Sequence, residues 1–354
     1  MNKKISFLIT FVVVAVFASG CTINLGGGGA TGADGGVWKS IDSGLTWEQI
    51  IDVPAVDGKV ASIAGVNIRR MTFDPQDYQT IYLSTEKSGV VYTNDGGIAW
   101  NQIEDFSGKK VRSVAVDPNN KCSLYVLSTN KMYKSTDCGR FWNNVYFHQN
   151  AEVVLTDIVV DSYNSSIMYI STSAGEILKS TNSGISWATV YRATSGMFVD
   201  LEISSSDSRV IYAATQKKGI FKTTNSGADW AGLGDGLKSY SGSHEYQGMV
   251  IDSDSSDSLI LASKFGMLRT QDGGSTWEIV DLLPGEKKTS IYSLAVNPKD
   301  GDDIYYATRT TLVKTTDGGE TWSSQQLPSS KVANRMIISP EDPRVIYMGI
   351  FKAD

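Results

Sequence analysis

Arginine and aspartate side chains recur at two adjacent positions of a repeating unit, and they are the residues of this chain best suited to chemistry. From copy to copy, the first position holds Arg69, Arg112, Thr156, Val199, Gln247, Tyr292 and Asn334. The second position holds Arg70, Ser113, Asp157, Asp200, Gly248, Ser293 and Arg335. Guanidinium groups donate paired hydrogen bonds to carboxylates, and a ring of them focuses a positive field. These positions predict a binding site for a carboxylate or an anionic peptide end, formed by Arg69, Arg70, Arg112, Asp157, Asp200, Tyr292 and Arg335.

Two other interpretations of the same residues stay open. The arginines and aspartates could pair with one another at a solvated rim and leave no charge for a ligand. Glycoside hydrolysis instead requires two carboxyl groups at a suitable separation. Asp157 and Asp200 stand at matching positions of adjacent repeats and are the candidate catalytic pair for that chemistry.

Composition restricts the remaining chemistry. The chain has only two His residues, too few for a histidine-based metal site or for much acid–base catalysis, so neither a metal nor a cofactor is expected. Its formal charge of −6 argues against a nucleic-acid partner, which needs a basic surface. The 354 residues exceed what one ordinary core organises, so two domains, a closed barrel or a repeat architecture are expected.

An eight-residue motif recurs seven times, which indicates a repeat architecture. Each copy reads Ser/Thr-x-Asp/Asn-x-Gly-x-x-Trp, and copies follow one another at 42 to 53 residues. The acid or amide can cap turn N–H groups, the Gly can adopt a left-handed conformation, and the Trp supplies apolar area. We therefore expect these residues to be structural: Asp42, Asp95, Asp137, Asn182, Asn225, Asp272 and Asp317, with Trp47, Trp100, Trp142, Trp187, Trp230, Trp277 and Trp322.

Short apolar strands flank every copy of the motif, and the whole unit reads as four strands, a to d, with the motif between c and d. A period in the forties with several strands per unit predicts an all-β, seven-bladed propeller with four-stranded blades. The chain opens with strands c and d (36–50) and ends with a and b (336–350). Both termini should therefore share the closing blade, which removes the free sheet edge. The two arginine-bearing positions open each strand a, so they surround one mouth of the central channel.

A cation precedes the motif in six of the seven strands c. These residues are Lys39, Lys134, Lys179, Lys222, Arg269 and Lys314. We expect solvated charges at blade edges, where they discourage edge-to-edge association of sheets.

The first 35 residues indicate an export signal and a tether rather than a folded element. Lys3 and Lys4, the apolar run 5–17 and the small residues before Cys21 are typical of a secretory signal. Cys21 after Ala-Ser-Gly resembles a bacterial lipobox, which implies lipidation of Cys21. We expect a signal peptide over 1–20, a Gly-rich tether over 21–35 and the propeller over 36–354. Thr22 is not Asp, so an outer membrane or outer cell surface is the expected location.

Two further cysteines can pair in an exported protein. Cys122 and Cys138 lie at equal distances from the centre of a predicted β-hairpin near Asn130, so they would face each other across it. A disulfide between them is one expectation, and two unpaired thiols are the other.

The repeated motif resembles the Asp-box, also called the BNR repeat, over nearly all of the chain after the tether. One Asp-box propeller behind a lipobox is similar to the photosystem II stability/assembly factor family, which implies a chaperone-like body that holds a membrane-protein partner. Sialidases and the xyloglucan-cleaving family share the repeat and imply glycoside hydrolysis. Here the Arg-Ile-Pro motif of sialidases is absent, because Met71 follows Arg69 and Arg70. A more distant resemblance to sortilin-type receptors implies peptide capture in the channel.

We therefore expect a non-catalytic, extracytoplasmic, lipid-anchored protein. Its monomeric propeller would bind a protein or peptide partner at the channel mouth, in an assembly or scaffold role. A glycoside hydrolase or a carbohydrate-binding propeller is the alternative.

Overall fold

The computed structural model describes residues 23–24, 34–56, 59–283, 285 and 289–352. The predicted signal peptide, Cys21 and most of the tether lie outside the described residues, so these predictions stand untested. No helix in the described ranges is both long enough and apolar enough to span a bilayer.

Seven four-stranded antiparallel sheets confirm the predicted propeller. Strands are named a to d from the channel outwards. Blade 1 has strands Ile68–Asp74, Asp77–Thr85, Val90–Thr93 and Asn101–Ile103. Blade 2 has Ser113–Asp117, Asn120–Ser128, Lys131–Ser135 and Asn143–Phe147. Blade 3 has Leu155–Val160, Met168–Thr172, Glu176–Ser180 and Ala188–Arg192.

The remaining blades follow the same pattern. Blade 4 has Phe198–Ile203, Ile211–Thr215, Ile220–Thr223 and Ala231–Gly232. Blade 5 has Tyr246–Ile251, Leu259–Ser263, Gly266–Thr270 and Glu278–Val280. Blade 6 has Ser293–Asn297, Asp300–Ala307, Thr311–Thr315 and Ser323–Gln326. Blade 7 has Val332–Ile338, Ile346–Phe351, Val37–Ser40 and Glu48–Ile50.

Blade 7 joins the two ends of the chain, as the sequence predicts. Strand c from the N-terminal side pairs with strand b from the C-terminal side, with Trp38 opposite Met348. Asp34 adds a second clasp by accepting hydrogen bonds from the backbone N–H and hydroxyl of Ser330. The ring is therefore closed by a continuous hydrogen-bonded sheet.

Two short elements lie outside the seven blades. Strands Ile23–Asn24, Asp52–Val56 and Lys59–Ser62 form a small sheet beside the connection from blade 7 to blade 1. A single 3-10 turn, Glu104–Phe106, follows strand d of blade 1 and buries Phe106.

The hydrophobic core is divided among the seven contacts between neighbouring blades. Strands b are buried on both faces, as Ile211–Thr215 illustrates. One apolar cluster fills each contact; between blades 4 and 5, for example, Tyr212 and Leu259 pack with Trp277. Because each blade buries its apolar faces only against its two neighbours, stability depends on every blade being in place.

The motif turns are built alike. In blade 7 the Ser40 hydroxyl accepts the N–H of Gly44, and Asp42 accepts the N–H and hydroxyl of Thr46. Gly44 has a φ of 86°, a left-handed conformation that strains residues with a side chain. Hydrogen bonds of this kind pair the polar groups of the turn with one another, which fits the structural role expected for these residues.

The cations before the motifs are not the solvated edge charges that the sequence suggested. Lys39 donates to the Gly96 carbonyl of the next blade (3.0 Å), and Lys179 donates to the Ser226 carbonyl (2.7 Å). Five of the six lie over a tyrosine ring of strand b, with Lys314 4.8 Å from the ring centre of Tyr305. Burial lowers the pKa of Lys39, although Glu48 and Asp95 oppose this effect. Five of these cations bind the next blade, whereas Lys314 pairs with Asp303 of its own blade, so all six are already engaged within the protein.

The structure joins Cys122 and Cys138 by a disulfide bond. In every blade the fourth motif residue donates its N–H to a carbonyl at the start of strand b; in blade 2 this bond joins the Cys138 N–H to the Cys122 carbonyl (3.1 Å). The shared backbone contact brings these two positions together in all blades, and blade 2 places a cysteine at each.

Candidate functional site

Side chains at the second of the two repeated positions point into the channel, and Arg70 crosses it. Arg70 starts on blade 1 and donates to the Val199 carbonyl (2.9 Å) and to Asp200 (2.8 Å), both on blade 4. Its guanidinium is also 3.0 Å from a carboxylate oxygen of Asp157 on blade 3. Arg70 with Asp157 and Asp200 therefore forms a layer across the channel, called here the Arg70 layer.

Both aspartates of this layer are buried and fully engaged. Asp157 accepts the Ser113 hydroxyl at one oxygen (2.9 Å) and the Leu201 N–H at the other (2.9 Å). Asp200 accepts Arg70 at one oxygen and the Tyr246 hydroxyl at the other. The two residues are 2% and 1% exposed. For these residues the structure matches the mutual-pairing interpretation, because their oxygens serve the layer itself.

Ionisation of the layer follows from its burial. Burial raises the pKa of Asp157 to about 6, and the nearby Asp200 charge adds to this rise while Arg70 opposes it. Burial also acts on Asp200, but Arg70 and Arg335 outweigh it and lower the pKa of Asp200. Burial disfavours the charge on Arg70, yet Asp157 and Asp200 raise its pKa and keep it ionised. The layer thus sets one buried cation against two carboxyl groups, of which Asp157 has the raised pKa.

A second group of cations lies outside this layer, at the mouth. Arg69 and Lys110 both donate to the Glu86 carboxylate, which is one-fifth exposed. Burial alone would raise the pKa of Glu86, but the hydrogen bonds from Lys110 and Arg69 lower it. Arg112 stands at the matching position of the next blade, and burial and then the nearby Arg69 charge lower the pKa of its guanidinium. Arg69, Lys110 and Arg112 with Glu86 are called here the mouth cluster.

Arg112 is the member of this cluster whose side chain has no hydrogen bond or ion pair among the described residues. Its backbone N–H is bound to the Leu127 carbonyl, which fixes the start of strand a. Two cations therefore bind one carboxylate, and Arg112 adds a further positive charge on a half-buried guanidinium. Such a group binds carboxylates strongly because little solvent competes for it.

The other first-position residues mainly hold blades together. Asn334 donates to the Ile68 carbonyl of blade 1 (3.1 Å), and Gln247 accepts the Ile291 N–H of blade 6 (3.1 Å). Tyr292 is half-buried at the mouth and uses its backbone N–H for the Ala307 carbonyl. Of the predicted binding residues, Arg69, Arg112 and Tyr292 stay at the mouth, whereas Arg70, Asp157 and Asp200 form the layer beneath.

Arg335, the last predicted residue, lines the channel on the inner side of the Arg70 layer. Glu202 lines the same space, and its carboxyl was not predicted as part of a site. Burial and then the Asp200 charge raise the pKa of Glu202 to about 8, while Arg335 opposes the rise. Glu202 stands two residues after Asp200, and alternation along a strand directs both side chains to the same face.

The closed ring of seven blades and its box turns define an Asp-box β-propeller with an arginine-bearing channel mouth. Within that class, the chain is similar to the family described as photosynthesis system II assembly factor YCF48, whose model matches residues 64–231. YCF48 from Cyanidioschyzon merolae superposes with a TM-score of 0.63 at 15% identity, covering 84% of this chain and 98% of that protein. A structure of YCF48 bound to D1 peptide gives 0.63 at 17% identity, covering 86% and 94%.

Other similar proteins have different activities. The GH74 enzyme of Niastella koreensis superposes with a TM-score of 0.65 at 18% identity, covering 86% of this chain and 53% of that enzyme. This chain thus spans about half the length of that enzyme. Vacuolar protein sorting/targeting protein 10 of Aspergillus clavatus is 33% identical over 94 residues, which are 25% of this chain and 6% of that protein. These likenesses extend across sorting proteins and hydrolases, so the fold is shared by several functions.

Proposed function

We propose that this protein binds a protein or peptide partner through an acidic group at the channel mouth. The observation that carries the proposal is the mouth cluster, in which Arg69 and Lys110 share the one carboxylate and the Arg112 side chain has no partner of its own among the described residues. A peptide C-terminus or an acidic side chain would complete the cluster by accepting paired hydrogen bonds from Arg112. The solved structure of YCF48 with D1 peptide supports this mode of action.

The expected cellular location fits the same proposal. A secretory signal followed by a lipidated Cys21 would place the propeller outside the cytoplasm at a membrane surface. A role in holding or assembling a membrane-protein partner follows from that position, and catalysis is not required.

Pull-down from detergent-solubilised native membranes tests the proposal. Tagged protein would be compared with its Arg112→Ala variant, and bound proteins would be identified and quantified by mass spectrometry. Losing a hydrogen bond to a charged group costs about 1.5–3 kcal/mol, so recovery of the partner should fall by roughly 10- to 150-fold. The matched control is Arg209→Ala, since Arg209 is an exposed arginine paired with Asp207 at a turn of blade 4.

A stoichiometric partner that Arg112→Ala loses and Arg209→Ala keeps would support binding at the mouth. Equal recovery of every bound protein by all three versions would contradict the proposed site.

Glycoside hydrolysis is the second candidate, because the GH74 enzymes share this fold. The predicted catalytic pair speaks against it, since Asp157 and Asp200 bind the same Arg70 and have no free oxygen. Hydrolysis of chromogenic glycosides or polysaccharides that is abolished by Asp157→Asn in a folded protein would overturn the binding proposal.

A further inference from the structure

The channel contains a cavity on the side of the Arg70 layer away from the mouth cluster. Its volume is about 510 Å³, within the range of small-molecule sites. The wall is mainly apolar and includes Phe73, Val116, Ile203, Val250 and Ile337. The lining reaches the a–b turns at the opposite rim, where Pro75, Pro118 and Ser162 contribute. The Arg70 layer separates this cavity from the mouth.

Two groups of opposite charge type face the cavity beside the layer. Glu202 comes from blade 4 and Arg335 from blade 7, three blades apart around the ring. Neither side chain makes a hydrogen bond or an ion pair within the part of the chain that the structure describes. Arg70, by contrast, is paired with both Asp157 and Asp200. The floor of the cavity thus offers one cation and one carboxyl group, near enough for the Arg335 charge to act on Glu202.

We propose that this cavity binds a small zwitterion with an apolar body, of the class of an apolar α-amino acid. The ligand carboxylate accepts hydrogen bonds from Arg335, and the ligand ammonium donates to Glu202. The apolar body lies against Val250 and Ile337 and is removed from water. Entry is from the rim with the a–b turns, because the Arg70 layer closes the other side.

Charge complementarity favours this class over simpler ligands. Ionising Glu202 is opposed by burial and by the charge on Asp200, which together outweigh Arg335, as the raised pKa of Glu202 reflects. An ammonium group beside Glu202 offsets that penalty. A carboxylate alone would satisfy Arg335 and leave Glu202 unpaired, and an amine alone would do the reverse. Both halves of the ligand are needed because an unpaired polar group in a low-polarity cavity is costly.

Calorimetric titration of the folded protein with L-leucine tests the assignment, with two half-ligands as probes. Isoamylamine lacks the carboxylate of leucine, and isocaproate lacks its ammonium. We expect leucine to bind at least tenfold more tightly than either. Affinity should rise from pH 6 to pH 8 as Glu202 ionises in the field of Asp157, Asp200, Arg70, Arg335 and Tyr246.

Glu202→Gln and Arg335→Gln should each weaken leucine binding at least tenfold. Glu152→Gln and Arg209→Gln are the matched exposed controls and should leave it unchanged. Val250→Phe fills the cavity without touching either charge, so it should abolish binding even where a charge variant does not fold. Arg112→Ala should leave leucine binding intact, which separates this site from the mouth cluster.

Absence of leucine binding would overturn the inference, as would equal affinity for isocaproate, which would mark a simple anion site. Leucine binding that survives Val250→Phe, or both Glu202→Gln and Arg335→Gln, would place the ligand elsewhere and overturn it too.

Discussion

The guanidinium of Arg70 on blade 1 lies 2.8 Å from a carboxylate oxygen of Asp200 on blade 4. The two residues are three blades apart, so one side chain connects opposite sides of the ring. Asp157 on blade 3 joins the same guanidinium at 3.0 Å. This pairing divides the channel into the mouth, with its excess of cations, and the apolar cavity beneath.

Replacing Arg70 should destabilise the protein strongly. Arg70→Met leaves Asp157 and Asp200 buried without a cation, and breaking a buried ion pair from one side costs about 3–5 kcal/mol. Urea unfolding at pH 7 measures the loss, and Arg209→Met at the exposed pair should change the free energy of unfolding by less than about 0.5 kcal/mol. A loss below about 1 kcal/mol for Arg70→Met would contradict the role of the layer.

Ring closure predicts the effect of truncation. Deleting residues 336–354 removes strand b of blade 7 and leaves strand c, including Trp38, without its partner. The apolar contacts of blade 7 with blades 6 and 1 would then be exposed. We expect aggregation or loss of the cooperative thermal transition, followed by circular dichroism and light scattering. A soluble truncated protein with a sharp transition would count against closure by this blade.

The Glu202 carboxyl predicts a pH dependence of stability. Its pKa rises on folding from about 4.5 to about 8, so the folded protein holds a proton that the unfolded chain has released. Its contribution is therefore fully present below about pH 4.5 and decreases as pH rises to about 8. Glu202→Gln should raise the melting temperature at pH 8.5 more than at pH 5. Glu152→Gln, at an exposed position, should shift both values equally.

The box turns predict a pH dependence of the opposite sign. Hydrogen bonds from the hydroxyl and N–H of Thr276 lower the pKa of Asp272 to about 2, below its value of about 3.8 in an unfolded chain. The stabilisation is present above about pH 4 and is lost as pH falls towards 2. Asp272→Asn should therefore lower the melting temperature at pH 6 but match the wild type near pH 2. Asn182 and Asn225 show that an amide fits this turn. A difference in melting temperature between Asp272→Asn and the wild type that does not change with pH would contradict this role of the Asp272 carboxylate.

The disulfide of blade 2 predicts a measurable cross-link energy. Its cysteines are 16 residues apart, and a bridge closing a loop of this size contributes about 3 kcal/mol. Replacing Cys122 and Cys138 by Ser should lower the urea midpoint, because the cross-link is lost. Ser fits the box turn, since it occupies the position of Cys138 in other blades at Ser43, Ser183 and Ser226. Equal midpoints for the variant and the oxidised wild type would exclude a stabilising bridge. Free thiols on both cysteines of non-reduced peptides would exclude the bridge itself.

Much of the fold could be predicted because its information is local. Each box turn uses Ser or Thr, Asp or Asn, and Gly within eight residues, and seven copies reveal the period. The open c–d and a–b halves at the two termini made the closing blade predictable as well. Arg70 and Asp200, which pair in the structure, are 130 residues apart in sequence. Only the ring geometry brings the two residues together, so binding and self-pairing both remained open from the sequence.

Other site residues were missed for identifiable reasons. Glu86 and Lys110 lie in loops whose residue types vary between repeats; the position of Glu86, for example, holds Ser173, Gln216 and Lys264 in other blades. Glu202 carried a usable signal, because strand alternation places it on the channel face two residues after Asp200. The interpretation of Lys39 and its equivalents as solvated charges was wrong, since the next blade's turn carbonyl and a tyrosine ring lie within reach only after the blades are packed.

One exception in that row of cations has a mechanical consequence. Blade 1 has Tyr92 where the six other blades have Lys or Arg, so among the described residues no cation at this position joins blade 1 to the box turn of blade 2. Blade 2 is also the blade whose box turn is covalently tied to its own strand b, through Cys122 and Cys138. In a ring held by contacts between neighbouring blades, the propeller opens first at the weakest of those contacts. Under a reducing agent, the junction between blades 1 and 2 should therefore be the first to admit water and protease, and hydrogen exchange should begin there.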